Sequence, residues 1–314
     1  MDLKQIESFV RVAELGSFTR AAMALGVQQP LLSRHVRQLE VELHQSLLVR
    51  NGRGVTLTEA GLLMLEHGRG ILHQVALARE DLGAARGALG GRVSIGLPPS
   101  LSRLITVPLT FAFRQRLPRA QLTLTEGFSM LMYESLRAGR LDMAVLYNPP
   151  LSPDLEMTSL HEESLILIAG RKKTTEGAHA LKPRMPLAAL AHLPLIAPSR
   201  PNAFRILIET EMARIQCKPQ IVLEIDGLNA ILEVVKEGLG YAVLPAYTLS
   251  NFNNPKDFSV HEIEKPQLLS QLMLVWSARR PLTPTHKESL RLAQDMVSSA
   301  IKSHAQALPA LRGL

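Results

Sequence analysis

Apolar positions over the first 65 residues recur at helical steps, and glycine stands where the first two helices should end. Leu3, Ile6, Val10 and Ala13 make one stripe. Gly16 closes that helix, Ser17 can cap the next (SFTRAAMALG), and the small Ala21 and Ala22 let a neighbouring helix approach. Gly26 turns the chain into VQQPLLSRHVRQLE, Val27–Glu40, where Leu32, Val36, Leu39 and Leu43 recur at steps of four, three and four. Pro30 suits the first turn of that helix, where no backbone N–H is required. QSLLVR, NGRG and VTLT then read as strand, glycine-rich turn and strand.

From Thr58 to about Ala88 there is no proline, and Met64, Ile71, Val75, Ala78, Leu82, Ala85 and Leu89 form a long helical stripe with heptad spacing from Ile71 onward. Two readings fit it: a helix that pairs with a second copy, or one that packs on its own chain. Gly83, Gly87, Gly90 and Gly91 loosen its end, so GALGGR reads as a domain boundary and hinge. Beyond Arg92 the pattern becomes strands alternating with helices. RVSIGL, QLTLTE and LDMAVLY form one group of strands, LILIAG, LPLIAP, QIVLEID and YAVLP a second, and LLSQLMLVWSA returns before a final helix over Thr283–Ser303. That alternation predicts α/β units with mostly parallel sheets. The tail from Ala305 is expected to fray.

Length, 314 residues, gives room for two or three domains, and a net charge of +7 permits a polyanionic partner without requiring one. Cys217 is the single cysteine, which excludes an internal disulfide and any multi-cysteine metal site. No apolar run approaches the roughly 20 residues that span a bilayer, and MDLKQIESFV reads as an amphipathic helix rather than a leader, so a cytoplasmic protein with no membrane partner is expected.

Opposite the apolar stripe of Val27–Glu40 stand Pro30, Arg34 and Arg37, with Ser33 on the flank, and no acidic residue occurs between Glu14 and Glu40. This front suits entry into a DNA groove; the competing reading is an ordinary solvated face. The surroundings decide between them. SFTRAAMALGVQQPLLSRHVRQLEVEL followed by LLVRNGRGVTLTEAG resembles the winged helix-turn-helix of LysR-type transcriptional regulators. Two positions depart from the family: Leu31 stands where a small residue is usual, and His44 replaces the helix-ending glycine. The resemblance implies that the third helix lies in the major groove. Gln28, Gln29, Pro30, Ser33, Arg34 and Arg37 then contact DNA: Gln29 suits adenine, Arg34 guanine, and Ser33 a base or phosphate. Arg37, Arg50 and Arg53 fit phosphates, and Leu31 can touch a thymine methyl. PSRPN and the overall phrasing resemble the subgroup of nitrogen-assimilation control regulators, some of which act without a known effector.

The same resemblance divides the chain. Residues 1–58 form the winged helix-turn-helix, 59–89 a dimerising linker helix, 90–304 an effector domain and 305–314 a tail. The effector domain resembles two-lobed periplasmic solute receptors, with lobe I over about 92–164 and 268–304, lobe II over about 165–267, and crossings near Ser164–Ile168 and Gln267–Leu269. Ligands in open α/β sheets sit beyond the carboxyl ends of strands, near helix N-termini that favour anions. GLPPSLSRL brings Ser100, Leu101 and Ser102 to such a place, EGFSMLM brings Ser129, and APSRPNAFR gathers Ser199, Arg200, Asn202 and Arg205. Matched onto the family, Ser100, Ser129, Tyr147 and Asn202 fall at effector-contacting positions; for the serines, plain helix capping is the alternative, and for the arginines surface charge. A small carboxylate is the expected effector.

Enzymatic motifs are missing: no nucleophile elbow, phosphate loop, zinc-binding helix or dinucleotide fingerprint occurs, and the histidines do not pair at ligand spacing. His35 sits beside the recognition face. Glu162 and Glu163 are adjacent on a strand and point to opposite faces, so they cannot act as an acid/base pair. No cofactor or metal is expected. The chain reads as a regulator that binds double-stranded promoter DNA as a homodimer or homotetramer, responds to a small molecule, and engages RNA polymerase if it activates. The alternatives are a solute-binding receptor without DNA binding and a two-lobed α/β transferase.

Overall fold

A computed structural model describes residues 1–51, 54–84, 90–171, 181–251, 255–279 and 282–312. The chain divides into two compact units, one covering Met1–Ala88 and Arg137–Arg140 and a second covering Leu89–Leu136 and Leu141–Leu314.

In the first unit α1 (Leu3–Leu15) starts at a reciprocal cap, in which Asp2 accepts from the Gln5 backbone N–H and the Gln5 side chain accepts from that of Asp2. Gly16 ends it in the left-handed region, φ 60°, and Ser17 caps α2 (Phe18–Leu25). The third helix, α3 (Gln29–Leu43), follows a turn at Gly26 and ends at His44, which adopts the left-handed conformation that glycine would take more cheaply, φ 52°. Leu32, Val36 and Leu39 sink into a core with Phe9, Val12 and Ala21. The wing is an antiparallel pair, β1 (Leu48–Asn51) and β2 (Gly54–Leu57), with Leu48 opposite Leu57. Two devices fix its position. Glu40 accepts from the backbone N–H groups of Leu47 and Leu48, and Val55 donates to the Gly16 carbonyl.

The long helix α4 (Glu59–Ala84) begins where Thr58 accepts from the Gly61 N–H. Its predicted stripe splits in two: Met64 and Ile71 pack on the core of the first unit, whereas Leu82 is 76% exposed in the single chain. Ala85 and Leu89 lie outside the described residues. Gly90 and Gly91 do not loosen a helix. They open a strand, because their backbones pair with Arg119 and Ala120.

The second unit opens with β3 (Gly90–Leu97), α5 (Pro99–Arg116), β4 (Arg119–Glu126), α6 (Ser129–Arg137) and β5 (Met143–Tyr147). The strand β6 (Leu155–Gly170) leads into the second lobe, which adds β7 (Arg184–Pro186), β8 (Pro194–Ala197), α7 (Ala203–Arg214), β9 (Gln220–Glu224), α8 (Leu228–Lys236), β10 (Ala242–Pro245) and β11 (Phe258–Glu264). Then β12 (Leu269–Ser277) returns and α9 (Pro284–Arg312) closes the fold. The strand order is β4-β3-β5-β12-β6-β11-β7, with β10 also on β6 and a separate β8-β9 pair.

The expectation of mostly parallel sheets is corrected here. The sheets are mixed: β3-β4, β3-β5, β8-β9 and β7-β11 are parallel, whereas β6 runs antiparallel to β10, β11 and β12, and β12 antiparallel to β5. The cause is topological, since a chain that leaves one lobe and returns to it must come back against the strand that left. A second difference lies at the end of the chain. Helix α9 continues to Arg312, past Ala305 and across Pro309, where the sequence predicts a frayed tail.

Candidate functional site

Helix α3 separates its two sides cleanly. Leu32, Val36 and Leu39 are 2% exposed or less, while Gln28, Gln29, Pro30, Arg34 and Arg37 stand exposed and Ser33 half-buried. Gln28 is the N-cap without a side-chain bond, so the backbone donors of the first turn are not claimed by it. Glu40, the nearest acid on this helix, is turned away to hold the wing. The result is an acid-free, donor-rich front on a rigid backing. His35 is not part of it: its Nδ1 lies 2.9 Å from the Ser8 hydroxyl, tying α3 to α1. Arg53 lies outside the described residues, as does the side chain of Arg50.

In the second unit four helix N-termini converge between the lobes. The residues at the starts of α5 (Pro98, Ser100), α6 (Phe128, Ser129), α7 (Asn202, Phe204) and α8 (Leu228) line one cleft together with Tyr147 and Thr248. It is almost filled, with a cavity of about 30 Å³. That volume admits a water or two, whereas small-molecule sites run to several hundred Å³ on the order-of-magnitude scale of known pockets. The plug is aromatic: the Tyr147 and Phe204 rings lie 4.5 Å apart, tilted by 52°.

A run of hydroxyls threads past this plug. Ser100 Oγ is 3.0 Å from the Tyr147 hydroxyl, which contacts the Tyr247 hydroxyl, and Tyr247 donates to Glu163 Oε1 at 2.9 Å. Ser129 Oγ accepts from the Tyr147 backbone N–H at 2.9 Å. Burial pushes the Glu163 carboxyl up to about 8, and it pushes the Tyr247 hydroxyl up as well, because both would otherwise hold charge in a poorly solvated place. Thr248 Oγ1 is buried with no hydrogen-bond partner among the described residues.

The structure therefore brings Ser100, Ser129, Tyr147 and Asn202 together and puts the other predicted residues elsewhere. Asn202 is a true N-cap, accepting from the backbone N–H groups of Phe204 and Arg205. Ser100 and Ser129 bond to Tyr147, and Ser199 bonds to Asp226 across a loop, holding that carboxyl below its ordinary range. Leu101 is buried in the core and Ser102 faces Thr106 along its own helix. Arg205 is ion-paired to Glu209 and Glu224, and Arg200 to Glu209, so both guanidinium groups already have carboxylate partners. Tyr247, Glu163, Phe204 and Thr248 were not anticipated from the sequence; no local spacing marks them. Glu162 and Glu163 take different partners, Gln271 for Glu162 and Tyr247 for Glu163.

Comparison with known proteins matches both units. Residues 3–62 match the bacterial regulatory helix-turn-helix proteins of the lysR family, and residues 86–298 match the LysR substrate binding domain. The chain is 31% identical over 299 residues to the nitrogen assimilation regulatory protein nac of Klebsiella aerogenes, covering 95% of this chain and 96% of that protein. Its fold is that of full-length OxyR from Pseudomonas aeruginosa (TM-score 0.69, 22% identity, 95% of this chain and 98% of the other). It is also that of full-length CbnR, solved in complex with its target DNA (TM-score 0.66, 24% identity, 96% and 100%). No helix among the described residues is long and apolar enough to cross a membrane. The chain belongs to the LysR family: it is a transcriptional regulator with a helix-turn-helix DNA-binding domain and an effector-binding domain, and not an enzyme.

Proposed function

We propose that α3 enters the major groove of promoter DNA with Gln28, Gln29, Pro30 and Ser33 at its leading end. Arg34 reads guanine and Gln29 adenine through paired hydrogen bonds, and Ser33 reaches a base or a phosphate. Arg37, Arg50 and Arg53 grip phosphates, giving register and salt dependence rather than sequence preference. The observation that carries this reading is the division of α3 into a sealed apolar back and an acid-free exposed front. Two such heads, joined through α4 in a homodimer or homotetramer, read half-sites a helical turn or a multiple apart. Contact with RNA polymerase belongs to this reading if the protein activates, and its setting is the cytoplasm.

The interlobe cleft is the effector site, with Ser100, Ser129, Tyr147 and Asn202 around the ligand and the unpartnered Thr248 hydroxyl ready to bond it. A small carboxylate fits the converging helix N-termini, whose N–H groups and dipoles favour an anion. Arg205 braces one wall by donating to the Pro198 carbonyl, whereas Leu101, Ser102, Ser199 and Arg200 stand outside the lining. Because the cleft is nearly filled, a ligand must favour a more open arrangement of the lobes, and that difference in affinity is what it transmits. The lobes then alter how the heads sit and how far DNA bends between half-sites.

Genomic selection of bound fragments followed by footprinting tests both halves. Arg34→Ala should cost about 1–3 kcal/mol of specific binding while leaving random-DNA affinity nearly unchanged; an unaltered specific-to-random ratio refutes base reading by Arg34. A footprint indifferent to every carboxylate that binds the protein refutes the effector assignment.

A further inference from the structure

The strand β6 changes partners in mid-course. Ser164 lies opposite Leu269 of β12, and the next residue, Leu165, lies opposite Pro245 of β10. Where the partners change, a cavity of about 630 Å³ opens along residues 161–166 of β6. It shares no lining residue with the interlobe cleft and is some twenty times larger than its 30 Å³. Its size falls within the several hundred Å³ typical of small-molecule sites.

Its walls combine two chemistries. Pro183, Ala246 and Val260 supply apolar surface, backed by the buried Leu165 and Ile263. Glu162, Glu163, Glu262 and Glu264 supply four carboxyl groups, against one guanidinium, Arg184, which is itself paired to Glu262 at 2.9 Å. The remaining titratable groups are His161 and His261, and burial pushes His261 toward its neutral form. Such a wall attracts positive charge and repels anions. The apolar surface suits an organic ion, and no three of these or other described His, Cys, Asp or Glu side chains are placed to hold one metal ion.

We propose that this cavity is a second ligand site, which takes a small organic cation, an amine or guanidinium on an apolar body, and reports its occupancy to the interlobe cleft through Glu163. The route is the hydroxyl run already described. A cation beside Glu163 favours its ionised form, and an ionised carboxylate is the stronger acceptor for the Tyr247 hydroxyl. Tyr247 touches Tyr147, and Tyr147 bonds Ser100 at the cleft wall. Occupancy therefore fixes the hydroxyls that a ligand in the cleft would otherwise recruit. The proposal goes beyond the effector assignment and does not depend on it, since the outer cavity can bind whether or not the cleft does.

The test is calorimetric titration of the full-length protein with agmatine and putrescine as cationic probes and succinate as the anionic control. One agmatine per chain is expected, with succinate silent at this site. The double variant Glu262→Gln/Glu264→Gln should weaken agmatine by about tenfold or more, the scale of losing hydrogen bonds to charged groups. Should that variant fail to fold, Ser164→Trp, which fills the cavity from an exposed position and keeps every carboxyl, should abolish the same heat. No agmatine binding, equal binding of succinate, or agmatine binding unaltered in the variants that fold overturns the proposal.

Discussion

Replacing Glu163 by glutamine should flatten the dependence of stability on pH. Glu163 titrates near 4.5 when exposed, and burial in the fold raises it to about 8. Between those values the folded state holds a proton that the unfolded state has released, so stability falls as pH rises through the window and levels off above about 8. At full strength a change of that size corresponds to roughly 5 kcal/mol. Relaxation and water entering from the outer cavity soften the penalty of a buried charge, so a loss of about 2 kcal/mol is expected. Glutamine stays neutral throughout and can still accept from Tyr247. The other ionisable groups sharing the cavity, His161, His261, Arg184, Glu162, Glu262 and Glu264, are present in both proteins, and the difference between wild type and variant removes their share. Urea unfolding at pH 5, 6.5, 7.5 and 8.5 gives that difference directly. Glu163→Gln should gain on wild type by about 2 kcal/mol between the extremes. Parallel curves would mean that Glu163 is charged and solvated in the fold, and the account of the hydroxyl run would fail with it.

Two further substitutions probe the first unit. Leu39→Ala removes a side chain with no exposed surface from the back of α3 and should cost about 2–5 kcal/mol in denaturant unfolding, with DNA binding lost in proportion to the unfolded fraction. An unchanged midpoint would mean that the helix back is not sealed. Gly54→Ala at the start of β2 places a Cβ 2.7 Å from the Gly16 carbonyl oxygen at a φ of +140°, so the wing must shift away from the α1–α2 turn. A loss of about 1–3 kcal/mol is expected from that strain, together with weaker DNA binding at low salt; unaltered stability would show that the wing adjusts freely.

Much of the first unit was legible because its determinants are local. The stripe of Leu32, Val36 and Leu39, the serine cap at Ser17 and the left-handed ends at Gly16 and Gly26 all act within a helical turn or two. Even His44, a departure from glycine, takes the conformation that its position demands. A helix is built from contacts three and four residues apart, so its pattern is written in consecutive letters. The effector domain divides differently. Its strands could be read singly, but their directions could not, because a strand buried on both faces, such as β5, reads as one apolar run whichever way its partners point. Ser100, Ser129, Tyr147 and Asn202 reach one cleft, whereas Arg200 and Arg205, neighbours of Asn202 in the chain, are engaged by Glu209 and Glu224. Tyr147 and Tyr247 meet across one hundred residues, and Tyr247 meets Glu163 across eighty-four. No spacing in a sequence records such encounters. The sequence by itself determined which helices form and which face of α3 is left exposed; the tertiary structure alone decided which polar groups meet, because burial and partnership depend on chain segments that folding brings together from far apart.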